Sequence, residues 1–262
     1  KAMSQEELKE LSPSEKFDLL HGRYNYPLKE EVAGFANPNA EYWEGICHGW
    51  SPATLNYNEP TPKVLMNPQG IAVPFGSTDI KALISYYYAN EYKAPNTYQT
   101  GRRCPQSGGL FNWNPDCNND LAPSTFHIIL TNNLGMRGRS FIADIKRFEQ
   151  VWNHPIYEYH SEIVDRHRPG WLSTSVADQI VTVRTQISYV NESTKNTWEP
   201  IRDTNIEKID QLVYEYDLEL DASGDIIGGK WKSKERPDFL WTSGRPDAFT
   251  GNLAGLQYLL DG

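Results

Sequence analysis

Gln211-Leu-Val-Tyr-Glu-Tyr-Asp-Leu-Glu-Leu220, then Asp221-Ala-Ser-Gly-Asp225, then Ile226-Ile-Gly-Gly-Lys-Trp231 is the stretch that decides the fold class. Apolar and polar residues alternate from Tyr214 to Leu220, as they do when successive side chains point to opposite faces of a strand. The Asp/Ser/Gly cluster is a turn signal, and Ile226–Trp231 reads as the next strand. Upstream, Ile180–Val190 alternates in the same way through Val181, Val183, Thr185 and Ile187. Strand-like runs are also read at Phe126–Thr131 and Ser140–Ile145. Before Thr125 the period is different. Ser77-Thr-Asp79 opens a helix with Ile80, Leu83, Ile84 and Tyr87 at three- and four-residue spacing. Ser4-Gln-Glu-Glu and Ser12-Pro-Ser-Glu15 each set a hydroxyl cap before acidic residues. A loop rich in Pro, Asn and Tyr runs from there to Tyr42. Helices first and antiparallel strands second predict an α+β fold, with a helical N-terminal lobe of about 1–122 and a β-rich lobe of about 123–262 in a single domain.

Composition bounds the function. The 262 residues carry 25 Lys+Arg against 34 Asp+Glu, a net charge of −9, with 39% hydrophobic residues, which excludes wholesale disorder. Mean hydropathy is −0.62 and no long uncharged apolar run occurs, so membrane insertion is not expected. The acidic balance disfavours nucleic acid as a partner, because phosphate contacts need a basic surface. Eight Trp and 15 Tyr point to a β-rich, secreted or carbohydrate-facing protein. Lys1–Leu20 is charged and helical in pattern rather than a secretory leader, as in a mature or truncated chain.

There are three cysteines. Cys104 and Cys117 lie in Gly101–Ala122, a Gly-, Pro- and Asn-rich stretch that gains most from a cross-link. A disulfide between them is expected, contributing about 3 kcal/mol by loop closure. Cys47 is left over, in Tyr42-Trp-Glu-Gly-Ile-Cys-His-Gly-Trp50. A thiol at the start of a helix gains from backbone N–H groups and the helix dipole, which makes Cys47 a candidate nucleophile. Gly45 allows close backbone approach, and Trp43 and Trp50 wall the site against water. Among the histidines, His48 points about 100° away from its neighbour on a helix and is a poor base for it. His127, entering Thr125-Phe-His-Ile-Ile-Leu-Thr-Asn132, is the better candidate, with His167 in Asp165-Arg-His-Arg-Pro the alternative. His154 and His160 read as surface residues. Asp144 interrupts the apolar Ser140-Phe-Ile-Ala-Asp144-Ile run, and a buried carboxylate needs a partner such as an imidazole on the adjacent strand. Asn153 is the alternative orienter.

Trp43-Glu-Gly-Ile-Cys-His-Gly-Trp50, Phe126-His-Ile-Ile-Leu-Thr-Asn132, Ser140-Phe-Ile-Ala-Asp144 and Val151-Trp-Asn-His-Pro155 together resemble the transglutaminase elicitor family of oomycete cell-wall proteins and their bacterial relatives. Ile226–Trp231 and Arg236-Pro-Asp-Phe-Leu-Trp241 are of the same type, so the resemblance spans roughly residues 10–242. The fourth segment is similar to the family's elicitor peptide, which opens Val-Trp-Asn-Gln-Pro; His154 stands here in place of the Gln. The resemblance implies a papain-like core, a Cys-His-Asp triad of Cys47, His127 and Asp144, and Ca²⁺-dependent transglutaminase activity. It also implies secretion to the exterior or the cell wall. Its partners are then protein substrates, a glutamine donor and a lysine or other primary-amine acceptor. The oxyanion donors are the Cys47 N–H and a group from Trp43 or Tyr42. A papain-like cysteine protease uses the same triad and is the alternative; a β-rich surface protein with an incidental thiol is a third reading. Oxygen ligands for Ca²⁺ occur at Asp221 and Asp225 and in Asp116, Asn118, Asn119 and Asp120. The first pair reads more simply as a hairpin turn and the second group as loop polarity.

Overall fold

In the computed structural model, which describes residues 3–95, 97–103, 120–147, 150–171, 173–191 and 195–260, the chain divides into two compact units. The first comprises Lys1–Asn96, Ser193–Glu207 and Gly244–Gly262; the second comprises Thr97–Glu192 and Lys208–Ser243. The lobe boundary read near residue 122 therefore falls inside the second unit, and two later segments return to the first.

The first unit is built from α1 (Gln5–Lys9), α2 (Pro13–Leu20), α3 (Pro27–Gly34), α4 (Cys47–Asn56), the hairpin β1 (Lys63–Met66) and β2 (Ala72–Phe75), and α5 (Ser77–Tyr86). A π-helical turn, Tyr87–Glu91, extends α5. Both serine starts form reciprocal caps: the Ser4 and Ser12 hydroxyls accept from the Glu7 and Glu15 N–H groups, whose carboxylates accept from the cap N–H. At α5 the Asp79 carboxylate accepts from the Gly76 N–H at 2.8 Å and pairs with Lys16 at 2.7 Å. Helix α3 lies in the stretch read as loop. It has no side-chain cap, and what supports it is Pro27 at its first turn and the fully buried Leu28. Phe17, Leu28, Phe75, Ile80 and Ile84 form the core, which the terminal 3₁₀ turns close with Leu253, Leu256 and Leu259.

The second unit is a seven-stranded antiparallel sheet in the order β3-β9-β4-β5-β6-β7-β8. Its strands are β3 (Tyr98–Gly101), β4 (Phe141–Asp144), β5 (Asn153–His167), β6 (Gln179–Val190), β7 (Ile209–Leu220), β8 (Ile226–Trp231) and β9 (Phe239–Thr242). The runs read at β4, β6, β7 and β8 are present. Strand β5 gave no alternation in the sequence because, past Ile156, nearly all of it is exposed on both faces. The Phe126–Thr131 run is not a strand. It lies in α6 (Pro123–Ile129) and the π-helical segment Leu130–Met136 that continues it. The β-branched pair Ile128-Ile129 imitates a strand, but Pro123 opens a helix and Phe126, Leu130 and Leu134 meet the sheet at four-residue spacing. Helices are thus not confined to the N-terminal part, and the α+β class stands.

Gly49 sets the position of α4. A Cβ there would lie 2.2 Å from the Ser85 carbonyl oxygen and 2.6 Å from the Ala89 side chain. Gly49→Ala is expected to lower stability by about 1–3 kcal/mol, read from the urea midpoint. Gly45→Ala, with open space around the added methyl, leaves the midpoint unchanged.

Candidate active site

Cys47 belongs to the first unit, His127 and Asp144 to the second. Cys47 is the first residue of α4 and is half-buried. A turn closed by the Glu44 N–H on the Glu41 carbonyl, at 2.9 Å, precedes it. The Ile46 carbonyl accepts from the N–H groups of Gly49 and Trp50 at 2.8 and 2.9 Å, which starts the helix one residue before the sulfur. The start of a helix favours nearby negative charge, and Cys47 stands at that position. Trp43 and Trp50 are half-buried, Tyr42 is 82% exposed, and His48 is exposed.

His127 is half-buried on α6, and its Nδ1 lies 2.8 Å from the hydroxyl of Tyr216. Tyr216 is fully buried; its hydroxyl is 2.8 Å from that of Thr185, which is 2.7 Å from that of Ser161. Burial holds the His127 pKa below the ordinary histidine value and the Tyr216 pKa well above that of a free phenol. Both groups are therefore neutral near neutrality. His127 also faces a cavity of about 340 Å³ lined by Ser161, Ile163, Val181, Leu218 and Ile226. His167, the alternative base, is exposed and lies 3.4 Å from Asp165. His154 is not a surface residue: it is 5% exposed, its Nδ1 is 3.0 Å from the Val190 carbonyl, and its ring packs on Tyr189. His160 is exposed, as read.

Asp144 ends β4 and is completely buried. Its Oδ1 accepts from the Trp152 N–H at 2.8 Å, and its Oδ2 has no hydrogen-bond partner among the described residues. Burial, with a further contribution from Asp238, pushes its pKa up to about 7 against the opposing pull of the Trp152 N–H. The direct carboxylate–imidazole bond expected from the sequence is not made. His127 sits on a helix rather than on a strand beside β4, whose neighbours are β5 and β9. Tyr216 takes the place beside the ring. The Asn153 amide oxygen, the other expected orienter, accepts from the Trp241 indole N–H at 2.8 Å. Sequence reasoning passed over Tyr216, although alternation along β7 marks it as buried and a buried phenol hydroxyl needs a partner.

Two of the carboxylates read as oxygen ligands for Ca²⁺, Asp221 and Asp120, have protein partners. Asp221 Oδ1 accepts from the N–H groups of Ser223 and Asp225, forming a plain turn. The Asp120 carboxylate pairs with Arg236 and Arg147. Asp116, Asn118, Asn119 and the expected Cys104–Cys117 pair lie outside the described residues. Among the described residues no three His, Cys, Asp or Glu side chains converge to hold a metal, and no helix is long and apolar enough to cross a membrane.

The profile of the transglutaminase elicitor family matches residues 28–260. The fold is similar to that in the crystal structure of the GP42 transglutaminase from Phytophthora sojae, with a TM-score of 0.65 and 22% identity over 93% of this chain and 78% of that one. No curated protein sequence matches the chain.

The raised Asp144 pKa has a sign. Stability is full below the pKa of an unfolded aspartate and is lost as pH rises through about 7, because folding then buries a charge. Asp144→Asn keeps an oxygen for the Trp152 N–H and cannot ionise. From about pH 5 to about pH 8, wild-type stability should therefore fall relative to the variant by about 2–3 kcal/mol in urea titrations. A constant difference would contradict the burial of an ionisable carboxyl here.

Proposed function

Because the chain belongs to the transglutaminase elicitor family, we propose that it is a protein-glutamine γ-glutamyltransferase with papain-like Cys-His-Asp chemistry. Cys47 is the nucleophile, His127 the general acid–base and Asp144 the carboxylate of the set. The observation that carries this reading is the position of Cys47 as the first residue of α4, next to aromatic residues, in a chain of that family.

The Cys47 thiolate attacks the γ-carboxamide carbon of a protein-bound glutamine. The developing oxyanion is held by the Cys47 N–H and a second donor, the Trp43 indole or a group on Tyr42. His127 takes the Cys47 thiol proton as the thiolate forms and then gives it to the departing ammonia, leaving a thioester. It then takes the proton of an incoming lysine or other primary amine, whose nitrogen forms the isopeptide bond and releases the thiolate. Water in place of the amine gives deamidation, and an apolar wall including Trp50 favours the amine by excluding water. The family, and protein substrates of this kind, support an extracellular or cell-wall location.

Incorporation of a fluorescent primary amine into a glutamine-bearing protein tests the proposal. Cys47→Ala and His127→Ala should each lose about 10³-fold or more with the far-ultraviolet dichroism unchanged, and Asp144→Ala should lose less. Retained incorporation in Cys47→Ala overturns the assignment. Cleavage of the protein substrate without amine incorporation would instead identify a cysteine protease.

A further inference from the structure

We propose that Tyr216 is the positioning residue for His127, holding its ring through Nδ1 so that Nε2 is the nitrogen that exchanges protons. This rests on His127 being the base of the reaction above. Three adjacent strands each contribute one hydroxyl: Ser161 on β5, Thr185 on β6 and Tyr216 on β7. Their spacings, 2.7 Å from Ser161 to Thr185 and 2.8 Å from Thr185 to Tyr216, continue to the 2.8 Å contact with His127 Nδ1. Tyr216 has no room to swing. It is completely buried, with the ring of Phe126 at 5.9 Å, edge-on, and that of Trp231 at 5.3 Å.

The direction of the chain follows from what a base requires. To accept a proton at Nε2, a neutral imidazole must carry its hydrogen on Nδ1. Nδ1–H then donates to the Tyr216 oxygen, the Tyr216 O–H donates to Thr185, and the Thr185 O–H donates to Ser161. Nothing in this order changes when Nε2 gains its proton, because Nδ1 remains a donor. The phenol stays neutral throughout, since burial opposes its ionisation. A neutral hydroxyl thus does the orienting that a carboxylate does by direct contact elsewhere, and without adding a buried charge next to the ring.

The test uses the full chain labelled with ¹⁵N-histidine. The wild type should show His127 in the Nδ1–H tautomer at neutral pH. In Tyr216→Phe the tautomer ratio should shift toward Nε2–H, and Thr185→Val, which keeps the phenol but removes its acceptor, should shift it part of the way. Tyr216→Phe should also lower kcat for amine incorporation by about 10- to 100-fold, a part of what general acid–base catalysis contributes, with KM for the glutamine donor unchanged. Tautomer ratios identical in wild type and Tyr216→Phe would overturn the proposal, as would a rise in KM alone. The nuclear magnetic resonance result is read whether or not the protein transfers amines, so failure of the transferase reading and failure of this one are distinguishable.

Discussion

Phe126 is the contact on which the second unit depends. It is wholly buried, and its ring meets those of Tyr214 and Tyr216 edge-on at 5.7 and 5.9 Å and that of Trp231 at 5.5 Å. Edge-to-face contacts set positive ring edges against negative faces, so the four rings fix an orientation as well as a volume. The Trp231 indole N–H adds a 2.7 Å bond to the Leu121 carbonyl, just before α6. One aromatic wedge thereby fixes α6 on β7 and β8. Because His127 follows Phe126 on the helix and Tyr216 lies on the strand beneath, the same wedge sets the distance between imidazole and phenol.

In the first unit the governing constraint is steric. Gly49 lets α4 approach the Ser85 carbonyl and Ala89 closely enough that no other residue fits. Since Cys47 begins the same helix two residues earlier, that approach also fixes where the sulfur is presented. Each unit thus places its candidate catalytic residue beside the residue that packs its helix.

Local signals were legible in the sequence. The caps at Ser4 and Ser12, the periodicity of α5, the alternation of β6 and β7 and the Asp221 turn all depend on residues close in the chain. Cys47 at a helix start was legible for the same reason. What the sequence hid was non-local. Ile128-Ile129 looked like strand until Phe126 and Leu130 found the sheet, and β5 carried no alternation because most of it faces solvent on both sides. His154 looked like a surface histidine because its cover comes from Val190 and Tyr189 on the neighbouring strand. The Asp144–His127 pairing failed for a related reason: it assumed a strand neighbour for β4 that the topology assigns to β5 and β9. Tyr216 was visible as a buried position, but its partner on α6 was not.

The proposed reaction comes down to a covalent bond at the Cys47 sulfur. The most direct measurement is acid-quenched peptide mapping by mass spectrometry after incubation with a glutamine-bearing peptide and no amine. It should find the peptide acyl group on the Cys47 fragment, with one ammonia released per acyl group formed. An adduct on another residue, or undiminished ammonia release from the peptide by Cys47→Ala, would contradict this.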